Sequence, residues 1–327
     1  MARRPTTTVA TALKLLLVVN PYSSSVTARS RVVIRKALSG DHDVTLAETS
    51  RRGHASRLAQ GAAADGTDVV VALGGDGTVN EVANGLAGSD TALAVLPGGS
   101  TNVFARTIGL PNDPVEATAV LLEALEARSI HRVGLGSVNG RYFCFHVGVG
   151  YDAAVVEQVE SRSGLKRYAS HPLFVYSAVD TWFRHYDHKR PRFTVRFPDD
   201  HRVDAYWVLC CNTNPYTYLG NRPLDVAPDA GLDRPLVVIS FRSMRIDRIL
   251  GLAGRALKGG GVSTERSVDY RIEPKGALIT SDRPFPYQMD GEPLGVVTRL
   301  ELRHAPDVLD LVLPVGSPAL GAADAGR

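Results

Sequence analysis

The sequence predicts two regions: an N-terminal doubly wound α/β domain and a C-terminal antiparallel β-sandwich domain. Three observations carry this expectation. Between residues 13 and 127, short β-branched apolar runs alternate with helix-patterned segments, the signature of parallel βαβ units. Glycine-rich or polar turns follow those runs at their carboxyl ends. Beyond Ser129 the pattern changes to short strand-like runs separated by Gly, Pro and Asn turns, which favours antiparallel pairing. A chain of 327 residues also exceeds what one core usually serves. The expected division is 1–128 and 129–304.

In order, Leu13 to Val19 reads as a buried strand ended by Asn20-Pro21, and Thr27 to Leu38 as a helix closed by Gly40. Asp43 to Glu48 is a second strand, Thr49 to Gly53 a polar turn, and His54 to Ala64 a helix. Asp68 to Leu73 is the third strand, Thr78 to Leu86 a helix, and Ala92 to Leu96 the fourth strand. Asp113-Pro114 supplies a cap and a first residue for a helix reaching Ala127. In the second region, strands are expected at 133–138, 141–149, 192–197, 202–211, 236–241, 267–272, 277–280, 285–289 and 296–303. Helices are expected at 165–185 and 245–257. A last apolar strand, Leu309 to Pro314, precedes a tail read as disordered from Gly316.

Bulk properties narrow the function classes. A net charge of +3 is too small to argue for nucleic-acid binding. The three cysteines, Cys144, Cys210 and Cys211, lack metal-ligand spacing, and their odd number argues against a disulfide framework, so a reducing cytoplasm fits. Arg3 and Arg4 precede an apolar run, but without a small-residue cleavage site, so no signal peptide is expected. No stretch reaches the roughly 18 apolar residues of a membrane span. Membrane contact would be peripheral.

The most informative stretch is Gly74-Gly75-Asp76-Gly77-Thr78-Val79-Asn80-Glu81. A strand, a glycine turn and a helix N-terminus form an anion site, because free backbone N–H groups and the helix dipole favour negative charge. A carboxylate there repels phosphate unless it holds a metal or accepts a proton. A second turn, Pro97-Gly98-Gly99-Ser100-Thr101-Asn102, follows the fourth strand. In doubly wound sheets ligands bind beyond the carboxyl ends of the strands. Asn20, Thr49, Gly74 to Thr78 and Gly98 to Asn102 all fall there. Asp76 could alternatively cap its helix, Asp290-Gly291 could be an ordinary hairpin turn, and Asp152 could be an N-cap.

Together with Gly148-Val149-Gly150-Tyr151-Asp152 and Met289-Asp290-Gly291-Glu292-Pro293-Leu294, these motifs resemble the diacylglycerol kinase catalytic domain superfamily, which includes bacterial diacylglycerol kinases and sphingosine kinases. The resemblance covers nearly the whole chain. It implies an ATP-binding α/β domain, a lipid-substrate sandwich, and a final segment, 305–327, returning to the first domain. It implies nucleotide contacts from Asn20, Thr49, Gly74, Gly75, Gly77, Thr78, Glu81, Gly98, Gly99 and Ser100. Asp76 and Glu292 become catalytic candidates, one taking the hydroxyl proton and the other placing Mg²⁺, in either order. Asp152 matches a position that contacts the lipid's polar head in sphingosine kinases and is implied as a head-group contact, and Arg162 and Arg167 are implied as phosphate contacts.

Departures from the family pattern are also visible. Tyr22 to Val26 replaces a glycine- and lysine-rich turn, Asn102-Val103 stands for Asn-Asp, Gly134-Leu135-Gly136 for Asp-x-Gly, and Asp233-Arg234-Pro235 for Asp-Asp-Gly. They deplete an accessory Mg²⁺ site of which Asp229 and Asp233 remain, so that metal is expected to be weak or absent. Arg106 is retained nearby. The expected function is phosphorylation of diacylglycerol or a related lipid, with ATP and Mg²⁺, at a membrane surface. A sphingoid-base or other lipid alcohol kinase, a non-catalytic lipid- or nucleotide-binding regulator, and a homodimeric assembly stay open. The basic, aromatic stretch from Leu165 to Arg192 is either a membrane-facing segment or a helix packed on the sandwich.

Overall fold

The computed structural model describes residues 12–161, 177–178, 180–182, 186, 190–273 and 275–320. Four strands, β1 (Lys14–Val19), β2 (Asp43–Glu48), β3 (Val69–Gly74) and β4 (Ala92–Pro97), pair in parallel in the order 2-1-3-4. Every residue of β3 and β4 is buried, which is why both read as continuous apolar runs without alternation. Helices α1 (Ala28–Leu38), α2 (His54–Ala64), α3 (Asp76–Leu86), α4 (Val103–Thr107) and α5 (Pro114–Glu126) connect or follow them. Right-handed crossovers send the chain left from β1 to β2 and right from β2 through β3 to β4. The helices therefore divide between the two faces, with α1 against α5 and α2 against α3. The reversal lies between β1 and β3, where the backbone N–H of Asn20 donates to the Leu73 carbonyl at 2.9 Å. Loops leaving those two strands open the crevice that such a reversal creates.

Local capping sets the helix starts. Thr27 and Ser30 form a reciprocal capping box on α1. Asp113 accepts from the N–H groups of Val115 and Glu116, with Pro114 at the first helical position.

The remaining strands are β5 (Ile130–Val138), β6 (Arg141–Phe143), β7 (His146–Val149), β8 (Phe193–Arg196), β9 (Arg202–Ala205), β10 (Trp207–Cys211), β11 (Thr217–Leu219), β12 (Arg222–Leu224), β13 (Leu236–Phe241), β14 (Val268–Glu273), β15 (Ala277–Met289) and β16 (Glu292–Val312). Strands β14-β13-β10-β7-β15-β16 pair antiparallel in that order. The first half of β15 also pairs with β8, which carries β9, while its second half pairs with β7. β15 thus belongs to two layers, and Val147, Val149, Phe193, Val195, Val208, Val238 and Ile279 fill one core between them. The end of β16 reaches back to the parallel sheet, with Leu311 beside Leu93 of β4 and Leu309 to Val312 against β5.

Three expectations are corrected. The separate strands at 277–280 and 285–289 are one strand, as are 296–303 and 309–314. Their Pro284, Pro286 and Asp307 sit at register shifts, so turn-forming residues mark bulges rather than strand ends. The expected strands at 141–149 and 202–211 each break in two. Helices α4 and α6 (Tyr151–Ser161) were not expected, nor was the β11–β12 hairpin. A further helix, α7 (Ile246–Ala256), matches its expected segment. Most of the helix expected at 165–185, with Arg162 and Arg167, lies outside the described residues.

Candidate active site

The two glycine turns lie against each other main chain to main chain. The N–H of Gly98 donates to the Gly74 carbonyl at 2.8 Å. A Cβ on Gly98 would come within 2.8 Å of the Gly74 Cα, and one on Gly99 within 2.9 Å of the Gly75 Cα. Neither could be accommodated without separating the loops, so these glycines are demanded by packing between backbones. Gly77 differs, because a Cβ there would meet nothing within 4 Å and would enter open space. Asn102, at φ +51°, braces the second turn: its Oδ1 accepts from the Gly99 N–H at 2.7 Å and its Nδ2 donates to the Gly99 carbonyl. Ser25 ties the replaced 22–26 turn to the same loop, its N–H donating to the Gly98 carbonyl and its hydroxyl to that of Gly99.

Asp76 is the first residue of α3 and makes no cap on it; the N-cap there is Gly75. Its carboxylate instead accepts the backbone N–H groups of Val103 and Phe104, both at 3.0 Å, at the start of α4. It is therefore fixed by the second glycine turn while bordering a cavity of about 550 Å³. Asn20 donates from Nδ2 to the Thr78 hydroxyl at 3.1 Å. Glu81 accepts the N–H groups of Gly53 at 2.7 Å and Ala55 at 3.1 Å, so its charge orders the start of α2. Asn20, Thr49, Thr78 and Glu81 border a second cavity of about 360 Å³. Gly75, Gly77, Arg52 and Glu292 border both.

The Asp290-Gly291-Glu292 turn reaches the cleft from the β15–β16 hairpin. Asp290, at φ +49°, is buried. Its carboxylate accepts the N–H groups of Cys144 (2.7 Å), Phe145 (2.9 Å) and His146 (3.1 Å), and Nδ2 of Asn80 (2.8 Å). Burial pushes its carboxyl up to about 6, against the opposing pull of those four hydrogen bonds. Arg141 donates to Asn80 Oδ1 at 3.0 Å and to Glu292 at 3.3 Å, and Arg52 meets the other Glu292 oxygen at 2.5 Å. One network thus links the Asn of the first glycine motif to the acid of the last one.

The larger cavity is walled beyond these groups by Val156 and Val159 of α6, by Phe145 and His146, and by Tyr216 to Leu219. His146 is buried beside Tyr216, with ring centroids 4.3 Å apart, and desolvation lowers its pKa to about 3, leaving it neutral. Asp152 does not border this cavity. It is buried, takes hydrogen bonds from the Tyr216 hydroxyl and from Gln288 Nε2 (2.7 Å), and is raised chiefly by desolvation. Its hydrogen-bond partner Tyr216 borders the cavity instead.

Asp229 accepts from the Tyr270 hydroxyl at 2.7 Å, and Asp233 lies 3.7 Å from Arg234. Arg106 stacks 3.7 Å above the Tyr218 ring and donates to the Gly220 carbonyl. Among the described residues, no three His, Cys, Asp or Glu side chains gather as a metal set. Asp290, Asn80, Arg141, Arg52, His146 and Tyr216 were not among the expected site residues. Asp290 and Asn80 lay inside quoted motifs, where a turn reading and helix periodicity hid them; the others carry no local sequence signal.

A glycine-turned α/β sheet faces an antiparallel region, with Asp76 and Glu292 both in the cleft between them. Residues 14–158 match the family described as diacylglycerol kinase catalytic domain. The chain is 28% identical over 292 residues to "Probable lipid kinase YegS-like" of Pseudomonas aeruginosa, spanning 89% of this chain and 91% of that protein. It is also 36% identical over 132 residues to diacylglycerol kinase of Bacillus subtilis, covering 40% of this chain and 43% of that one. A crystal structure of a diacylglycerol kinase from Bacillus anthracis shares the fold, with a TM-score of 0.68, 21% identity, and coverage of 92% and 96%. Residues 14–158 are thus similar to the diacylglycerol kinase catalytic domain, and most of the chain is similar to proteins described as lipid kinases.

Proposed function

We propose that the protein is an ATP- and Mg²⁺-dependent kinase that transfers the γ-phosphoryl group of ATP to a hydroxyl of diacylglycerol or a related lipid. Residues 1–128 with 305–327 hold the nucleotide, 129–304 hold the acceptor, and the protein works peripherally at a membrane surface. The observation that carries this reading is the meeting of two cavities at Gly75, Gly77, Arg52 and Glu292. The smaller, edged by Asn20, Thr49, Thr78 and Glu81, takes the nucleotide. The larger, bordered by Gly99, Ser100 and Asp76 as well as by valines and aromatics, takes the transferred phosphate together with the acyl-bearing alcohol.

The residues present fit the nucleotide and the metal. The space beside Gly77 lets phosphate oxygens approach the first turn of α3. Mg²⁺ is commonly held by one or two carboxylates plus substrate phosphates, a set that Asp76 completes without a dedicated protein cage. When bound, Mg²⁺ neutralises charge on the transferred phosphoryl group. Asp76, fixed by the amides of Val103 and Phe104, would hold the metal. Glu292, bordering both cavities, accepts the hydroxyl proton, while Arg52 beside it draws phosphate oxygens into line. Asp290 and Asn80 hold the turn that presents Glu292. Asp152, the residue that suggested a sphingoid-type head group, is covered by Tyr216 and Gln288, which favours the diacylglycerol class.

Incubation with radiolabelled ATP, Mg²⁺ and a panel of micellar lipids tests the reading. A phosphorylated lipid, strongest with diacylglycerol, is expected. Nucleotide binding without product on any lipid would overturn it in favour of a binding regulator.

A further inference from the structure

Helix α7 is apolar on two sides. Leu252 and Ala256 are buried in the core beside β10 and β13, and Ile249 packs near Tyr151, Val155 and Met244. A second stripe faces solvent: Ile246 is 40% exposed, Leu250 65% and Leu257 42%. At 100° per residue these three fall within an arc of about 40°, with exposed Ala253 beside them. Other exposed large apolar residues, such as Tyr22 and Val315, lie on separate loops, and scattered single ones need no explanation. An ordered stripe does.

Its surroundings are cationic. Between residues 242 and 266 the sequence carries six basic and two acidic residues. Both acids are engaged, Asp247 by Arg245 and Glu265 by Arg255. Arg242, Arg248, Lys258 and Arg266 are exposed and make no ion pair among the described residues. An apolar stripe flanked by uncompensated Arg and Lys complements the acyl boundary and anionic head groups of a bilayer. Among the described residues no helix is long and apolar enough to cross one.

We propose that the outward face of α7, Ile246, Leu250 and Leu257, with Arg242 and Lys258 in the segments that flank the helix, is the surface that docks the protein on anionic lipid bilayers. Its position suits a lipid acceptor, and this clause of the argument rests on the function proposed above. Helix α6 presents Tyr151 and Val155 towards Met244 and Ile249, and Val156 and Val159 to the larger cavity. Trp182 Nε1 donates to the Met244 carbonyl at 3.0 Å, tying down the approach to α7. Docking here sets the bilayer one helix away from the acceptor cavity.

Co-sedimentation of the full chain with phosphatidylcholine vesicles, with and without phosphatidylglycerol, tests the proposal. Wild type should bind the anionic vesicles. Lys258→Glu should weaken binding by at least about five-fold, as expected for one basic residue near such a surface. Leu250→Glu with Leu257→Glu should abolish it, while melting temperature and activity on a short-chain diacylglycerol in solution stay unchanged. Vesicle binding by wild type with no kinase activity on any lipid would sink the proposed function and leave this surface standing. Equal vesicle binding by all variants, or no binding by wild type, would overturn it. So would a change from dimer to monomer in the Leu250 and Leu257 variant, because the stripe would then be covered by a second copy of the chain.

Discussion

The two sides of the cleft are built by different means. The side proposed for the nucleotide is mostly main chain: Gly74, Gly75, Gly98 and Gly99 stack backbone on backbone, and few side chains are needed to shape it. The acceptor side depends on side chains from distant segments, Asn80 to Asp290 across 210 positions and Arg141 to Glu292 across 151. A surface made of backbone is set by where glycine is allowed, whereas a surface made of a hydrogen-bond network fails when one atom changes. Substitutions on the two sides should therefore fail differently, one in binding and one in turnover.

The largest contrast is between the two acids. Glu292→Gln keeps shape but removes the proposed proton acceptor, and kcat should fall on the order of 10²–10⁴-fold. The Mg²⁺ concentration giving half-maximal activity should not move. Asp76→Asn retains an oxygen for the amides of Val103 and Phe104, but should raise that Mg²⁺ concentration by at least about ten-fold. Mg²⁺ titrations of both variants check the assignment; the reverse pattern would exchange the roles. Asp76→Ala is a poorer probe, because it also removes a cap worth about 1 kcal/mol.

Asp290 should show a smaller effect with a pH signature. Asp290→Asn turns an amide N–H₂ towards N–H donors in a buried site, leaving polar groups unpaired at about 1–3 kcal/mol each. Melting temperature should drop, and kcat should fall about ten-fold as Glu292 loses its position. Folding raises the Asp290 carboxyl from 3.8 to about 6, so between those values the folded state holds more proton than the unfolded one. Its stability contribution is therefore fully present below 3.8 and lost as pH rises through about 6. The gap in melting temperature between wild type and Asp290→Asn should widen as pH falls below about 6. Protonation also places an O–H against N–H donors, so wild-type kcat should decline through the same window. A gap independent of pH would show that this carboxyl does not titrate there.

These contrasts follow what could be read in the chain. The parallel sheet was legible because β3 and β4 are fully buried apolar runs and Asp113-Pro114 is a local cap. The glycine turns were legible because strained or crowded backbone admits few residue types. The acceptor wall was not, since nothing near Arg141 or Tyr216 announces a partner far along the chain. Asp290 was read as a turn residue and it is one, at φ +49°; the same residue is also the hub of a buried network. Asp76 was weighed as a cap on its own helix and caps α4 instead, a tertiary contact invisible to local spacing. β16 was read as two strands, at 296–303 and 309–314, whereas the fold runs it as one long strand with a register shift between Ala305 and Leu309.

The smallest effects separate glycines on the nucleotide side from one another. At Gly77 an added methyl meets open cleft, and replacing Gly in a helix gains up to about 1 kcal/mol. Gly77→Ala should therefore keep or slightly raise the melting temperature while raising the KM for ATP by about ten-fold, near 1.4 kcal/mol of binding. At Gly98 the methyl meets the Gly74 backbone at 2.8 Å and 2.9 Å, which no rotamer change relieves. Gly98→Ala should cost about 1–3 kcal/mol of stability, the usual range for overpacking, and raise KM only as the loops part. Thermal melts beside ATP titrations of the pair decide the matter. Equal loss of stability in both would mean that Gly77 also serves packing, and that the space beside it is not where phosphate approaches the helix.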